Sequence, residues 1–224
     1  MYFSLHQGKT SLALFLILTR ILPTSVPFDL PSPNCHAITL DLGGKADHAV
    51  LLVPTSHRSP LSRLTASLRD HITHLVQEAL SANLRPRRIT PALSDQIEAI
   101  VMESLSRLRI VRFKPRWTPM FLALKAVLYP PRLELDPGTE MTERLDMVVV
   151  DGFGDPFWPE RWATWGKDEA GGQRKTGRVG EQVGMKEVMG MLEALRREMG
   201  AVVVLTIQGL WVSHAPNSGQ THVS

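Results

Sequence analysis

Two stretches far apart in the chain carry the residue types that phosphate chemistry uses. Residues 8–11 read Gly-Lys-Thr-Ser and run directly into the apolar stretch Leu12–Leu18. Gly-Lys-Thr opening a helix is the closing half of a phosphate loop. The glycine lets backbone N–H groups approach phosphate oxygens at the positive end of the helix. Lys9 can reach the outer phosphates as a point charge, and the Thr10 hydroxyl can ligate Mg²⁺. The second stretch is Leu145–Asp151, in which Met147–Val150 is an unbroken and mostly β-branched apolar run. Such a run suits a strand buried on both faces. It ends in Asp151, followed by Gly152, Phe153 and Gly154. An acid at the carboxyl end of a parallel strand points into the crevice where open α/β sheets bind ligands. There it can orient the waters of an ion held by Thr10. Alone, Gly-Lys-Thr recurs by chance and Asp151 reads equally well as a loop cap. The two together, about 140 residues apart, point to chemistry.

The phosphate-loop pattern is incomplete. Its first glycine belongs five residues before Gly8, where Phe3 stands, and only seven residues precede Gly8. The strand that should feed the loop is therefore absent. Because Met1 falls inside the motif, a chain shortened at its N-terminus is the expected explanation, ahead of a degenerate loop.

The elements that must position these residues follow from composition and periodicity. The chain has 224 residues, 43% hydrophobic and 21% charged, enough for one α/β domain with a sizeable core. That domain is expected over 1–214, with a polar and disordered tail over 215–224. The net charge of +3 permits contact with nucleic acid or an acidic partner without demanding it. A single cysteine, Cys35, excludes an internal disulfide and a cysteine-type zinc site, and fits a reducing compartment. His71 and His74 read as a solvated surface pair. The stretch Leu12–Leu22 is broken by Thr19 and Arg20 and is too short to cross a bilayer. A secretory signal would use similar residues, but no A-x-A-like cleavage site follows. A buried helix explains the stretch, and no membrane span is expected anywhere.

In chain order, a helix is predicted from about Thr10 to Leu22, stopped by Pro23. A proline-rich irregular connection follows over 23–34. Cys35–Leu40 then reads as a strand ending in a second acid, Asp41, with Gly43 and Gly44 in its turn. Ala49–Val53 is apolar but too short to assign. Apolar spacings of three and four predict a helix over Leu61–Leu84. Arg85, Arg87 and Arg88 lie in the next loop, read as solvated in preference to a phosphate-contacting patch. Ser94 is the predicted cap of a helix over Asp95–Arg107. Leu108–Phe113 is a strand, Thr118–Tyr129 a helix, and Leu133–Arg144 a polar connection. Beyond Asp151 the chain turns aromatic, with Phe153, Phe157, Trp158, Trp162 and Trp165, read as core or partner packing before base stacking. Lys167–Gly180 is rich in Gly, Lys and Arg and expected to be disordered. Gln182–Met199 is a helix ended by Gly200, and Ala201–Thr206 another buried strand. This alternation predicts an α/β fold with a doubly wound, mainly parallel sheet.

At this point the residues resemble a family. Gly8-Lys9-Thr10, Val148-Val149-Val150-Asp151, and the helix followed by Gly200-Ala201-Val202-Val203-Val204-Leu205-Thr206-Ile207-Gln208 resemble the RecA-like P-loop ATPase core of RecA-type recombinases. Within it, the small eukaryotic recombinase paralogues are most similar. Asp151-Gly152-Phe153-Gly154-Asp155-Pro156-Phe157-Trp158, with Arg161, resembles the segment that follows the metal-site acid in that group, and Leu108–Leu128 is similar in order. The resemblance spans about 6–213, with low identity over 42–105. It implies ATP bound at Gly8, Lys9, Thr10 and Ser11, with Mg²⁺ held by Thr10 and, through water, by Asp151. It implies Asp41 and Gln208 as catalytic residues, Asp41 as the acid ending the second strand and Gln208 as sensor of the γ-phosphate. A DNA-contacting loop would begin at Gly209–His214. The implied setting is homologous-recombination DNA repair in the nucleus, as a subunit partnered by a recombinase paralogue and DNA.

Active members of that family carry a glutamate two residues beyond the strand-end acid. Counting from Asp41, Gly43 occupies that place, and without a carboxylate to orient water hydrolysis should be slow. A nucleotide-binding or pseudo-ATPase accessory subunit is therefore expected. The competing reading is an independent P-loop NTPase or nucleotide kinase, with Arg85–Arg88 as a lid, although no substrate motif accompanies it. A third is a protein-interaction module that binds no nucleotide.

Overall fold

The computed structural model describes residues 5–29, 37–83, 90–130, 145–157 and 183–207. At its centre is β3 (His48–Pro54), which pairs in parallel with β4 (Leu108–Phe113) on one side and β5 (Leu145–Val150) on the other. β5 pairs in parallel with β6 (Val202–Leu205), giving a four-stranded parallel sheet in the order β4-β3-β5-β6. The seven residues of β3 are almost entirely buried. Its apolar run is short, and only pairing on both edges marks it as an inner strand.

Strand alternation divides the core into two layers. Ala49, Leu51, Val53, Met147 and Val149 pack with α1 (Leu5–Ile21), α2 (Leu61–Asn83) and α3 (Pro91–Ser106). Val50, Leu52, Val148 and Val150 pack on the opposite face with α4 (Trp117–Leu128) and α5 (Met185–Met199). Helices therefore cover both faces. Burial of each Val or Leu contributes about 1.5–3 kcal/mol, so this doubly covered sheet is the main source of cohesion. No helix among the described residues is long and apolar enough to cross a membrane.

Four expectations are corrected. The segment ending in Asp41 does not join the central sheet: β2 (Ile38–Asp41) pairs antiparallel with β1 (Ser25–Phe28), itself within the stretch read as irregular. β2 alternates half-buried and exposed residues, the pattern of a ribbon with one wet face. Second, α1 begins at Leu5, not Thr10, so Gly8 and Lys9 are helical. Third, α3 begins at Pro91. Its cap is Thr90, whose hydroxyl accepts from Leu93 N–H, and proline at the first helical position costs no hydrogen bond. Fourth, β6 is not a buried strand. It lies at one end of the strand order, and Val202 is 44% exposed. The other predicted strands and helices agree to within a few residues. Gly200 ends α5 in the left-handed conformation at φ 67°.

Two contacts fix α1 against β5. Thr10 meets Asp151 at the carboxyl end of β5, while Arg20 lies 2.6 Å from Asp146 near its start. Ten helical residues at about 1.5 Å each rise about 15 Å, and five strand residues at about 3.3 Å rise about 16 Å. The two spans match, so α1 runs antiparallel to β5 and delivers its first turns to the carboxyl end of the sheet.

Candidate functional site

Asp151 is the first residue beyond β5 and is 8% exposed. Its N–H donates to Leu52 O of β3 at 2.9 Å, which holds the carboxylate where the strands end. Val150 and Leu205 are register partners, so Thr206 lies beside Asp151. The Thr206 hydroxyl donates to Asp151 Oδ1 at 2.5 Å and accepts from Gly152 N–H at 2.9 Å. From α1, the Thr10 hydroxyl approaches Asp151 Oδ1 at 3.2 Å and Oδ2 at 3.4 Å. Lys9, in the preceding position, donates from Nζ to Ile207 O at 2.8 Å. Lys9, Thr10 and Asp151 therefore converge at one end of the sheet.

The turn after β5 is rigidly held. Gly152 has φ +74°, and a Cβ there would come within 2.9 Å of Asp155 Oδ2 and 3.0 Å of His57 Cε1. Only glycine suits both the backbone and the space. Phe153 is buried and meets Trp117 of α4 edge-on, with ring centroids 5.6 Å apart. Asp155 N–H closes the turn on Gly152 O at 2.9 Å.

Sequence reasoning missed two members of this cluster, His57 and Asp155. His57 follows β3 in a turn closed by its own N–H on Pro54 O at 3.0 Å. Arg112 of β4 clamps that turn by donating to Thr55 O at 3.0 Å and His57 O at 2.8 Å. The imidazole Nε2 lies 3.0 Å from Asp155 Oδ2, and Nδ1 lies 3.9 Å from Asp151 Oδ2. Burial pushes the Asp155 carboxyl above its ordinary value; His57 opposes that shift and the charge of Asp151 adds to it. Local sequence holds only a weak signal for His57, because β3 itself was too short to assign. Asp155 was visible in the Gly-rich turn but had no partner until the fold supplied one.

The remaining predicted residues are placed as follows. Ser11, next to Thr10, accepts from Arg63 Nη2 at 2.5 Å. Gly8 is exposed inside α1, and a Cβ there would meet nothing within 4 Å. Asp41 is not brought to the cluster. It is exposed, and its Oδ1 accepts from Gly43 N–H at 2.8 Å, the geometry of a turn cap. Leu42 N–H donates to Thr24 O and Ala46 N–H to Leu22 O, which ties this turn to the far end of α1. Gln208, Cys35, the Arg85–Arg88 group, Arg161 with Trp158, Trp162 and Trp165, the segment Gly209–His214 and the tail 215–224 lie outside the described residues. An apolar groove of about 420 Å³ runs between α1 and α2 and adjoins the cluster at Ser11 and Arg63.

An Mg²⁺ ion keeps several waters and takes one or two protein oxygens. The Thr10 hydroxyl and the Asp151 carboxylate are oxygen donors of that kind at the right separation. The backbone cradle of a phosphate loop has no counterpart among the described residues, since Gly8 and Lys9 belong to a continuous helix. Thr10 and Asp151 are thus the residues that could hold a metal ion, and the Lys9 ammonium is the group that could meet a phosphate. No known protein family and no characterised protein matches the chain.

Proposed function

We propose that the chain binds a nucleoside triphosphate, ATP, together with Mg²⁺, at the carboxyl end of its parallel sheet. In this reading Thr10 and Asp151 hold the metal and its waters, and Lys9 leaves Ile207 O to neutralise the outer phosphates. The supporting observation is the meeting of Lys9, Thr10 and Asp151 from distant parts of the sequence. Hydrolysis is slow, because the residue two beyond the end of the strand beside β5 is Ser56, not a carboxylate. On the residue pattern shared with RecA-type recombinases, the protein serves as an accessory subunit of homologous recombination in the nucleus, bound to a recombinase paralogue and DNA.

Titration of the full-length protein with Mg·ATP tests the binding. A charge-assisted contact is worth about 1.5–3 kcal/mol, so Lys9→Ala should weaken binding by about 10- to 100-fold. Removal of the divalent ion should weaken it as well. Absence of wild-type binding would end the proposal. Recovery of a recombinase paralogue with the tagged protein from nuclei after DNA damage tests the biological part. A second reading, a protein-interaction module without nucleotide, is favoured by two observations: Lys9 is already satisfied by Ile207 O, and Gly8 is helical. The same titration separates the two.

A further inference from the structure

The groove between α1 and α2 is open among the described residues, and its shape restricts what can lie in it. Leu14, Leu18 and Leu22 recur at helical spacing and, with Leu42, form a buried apolar floor. Phe15 stands on the rim with its side 55% exposed. The lining runs from Ser11 at one end to Leu22 at the other, a span of about 16 Å at the helical rise. Spread over that length, 420 Å³ leaves a cross-section of about 26 Å². An α-helix with its side chains is about 10 Å across and needs about 80 Å², so no partner helix enters. An extended peptide would set its N–H and C=O groups against the leucine floor, at a cost for each one left unpaired. A single unbranched hydrocarbon chain meets neither obstacle. At about 1.2 Å per bond of an extended chain, the groove takes about a dozen bonds.

The two ends of the groove differ in charge. At the Ser11 end, Arg63 of α2 donates from Nη2 to Ser11 Oγ. A guanidinium carries five N–H donors, and no carboxylate among the described residues pairs with Arg63. Arg69 of the same helix is, in contrast, matched by Glu98. At the far end the groove is lined by Gly43, whose N–H donates to the exposed carboxylate of Asp41. An anion is therefore repelled from the far end and attracted to the near one. We propose that the groove binds a free, unbranched aliphatic carboxylate of about twelve carbons, with its head on Arg63 and its tail over Leu14, Leu18 and Leu22. The Arg63 fork offers two parallel N–H groups to the two carboxylate oxygens. Removal of the tail and the Phe15 ring from water drives the binding. This site does not depend on the nucleotide reading above.

Isothermal titration of the full chain with sodium dodecanoate, kept below its micelle concentration, is the test. One molecule should bind per chain. Decanoate and octanoate should bind more weakly, by about fourfold for each methylene removed. Dodecyltrimethylammonium, which carries a cation in place of the carboxylate, should bind at least about 10-fold more weakly than dodecanoate. Arg63 is exposed, so Arg63→Gln should fold as wild type does and lose that preference. Ser67 is half-buried in the groove wall, and Ser67→Trp should fill the groove and abolish binding of every chain length. Equal affinity for the two head groups, uptake of many molecules per chain without saturation, or unchanged binding in Arg63→Gln would overturn the inference. A wild type that binds no dodecanoate overturns it too, and if that protein sediments as a dimer a second copy is the cover of the groove. Should Ser67→Trp fail to fold, Arg63→Gln and the head-group comparison decide the matter.

Discussion

Asp41 and Asp151 end comparable local patterns and have opposite fates. Each follows a short apolar run and precedes glycines, Leu42-Gly43-Gly44 in one case and Gly152-Phe153-Gly154 in the other. Asp41 lies exposed on an antiparallel ribbon and caps its own turn. Asp151 is buried at a parallel strand end and gathers Thr10, Thr206 and, at longer range, His57. Even the neighbouring glycines behave alike in isolation, with φ +67° at Gly43 and +74° at Gly152. The surroundings differ: open space faces Gly43, whereas Asp155 and His57 crowd Gly152. A strand-end acid becomes a site through the neighbours that other strands bring to it, and its own flanks do not decide this.

Five substitutions probe that contrast, from the largest effect to the smallest. Gly44 lies so close to Leu22 that a Cβ would meet its carbonyl oxygen at 1.9 Å. Gly44→Ala should therefore cost about 3 kcal/mol or more, read as a lowered urea midpoint. The turn of Asp41 is then a packing device and not a site. Asp151→Ala leaves the Thr206 hydroxyl buried with one acceptor lost and should cost about 1–3 kcal/mol. The matching Asp41→Ala should cost under about 1 kcal/mol by the same measurement and leave Mg·ATP affinity unchanged. Equal effects of the two would erase the distinction.

Gly8→Ala separates helix from loop at the start of α1. In the open helical setting seen here it should raise stability by about 0.5–1 kcal/mol. A drop in stability would mean that the backbone needs glycine at this position. Asp155→Asn gives the smallest and most pH-dependent change. The folded state holds the Asp155 proton more tightly than the unfolded chain, chiefly because burial disfavours the charged form. A raised acid contributes stability below its unfolded value and loses it as pH rises through the folded value. Urea midpoints should thus converge for wild type and Asp155→Asn in acid. The variant should gain on wild type as pH climbs from the ordinary aspartate value of 3.8 toward neutrality.

Much of the scaffold is legible in the residues. The run Met147–Val150 announces a strand covered on both faces, and it is buried throughout. The periodicity of Leu61–Leu84 announces α2, and Gly200 marks the end of α5. Errors arise where an element's identity depends on a partner. Ala49–Val53 looks unremarkable alone, yet it is an inner strand of the sheet. Leu40-Asp41 looks like a core strand end, yet its strand pairs outside the core. Ser94 has the chemistry of a cap, but Thr90 with Pro91 forms a better start four residues earlier.

By itself the sequence determined the parallel α/β architecture and nominated Lys9, Thr10 and Asp151, because hydrophobic period and residue chemistry are local properties. Tertiary structure alone decided that those three meet, that Asp41 stands apart, and that His57 and Asp155 join the cluster. Contact between distant residues depends on strand order and register, which are set by the global packing of apolar faces and leave no mark within any single segment.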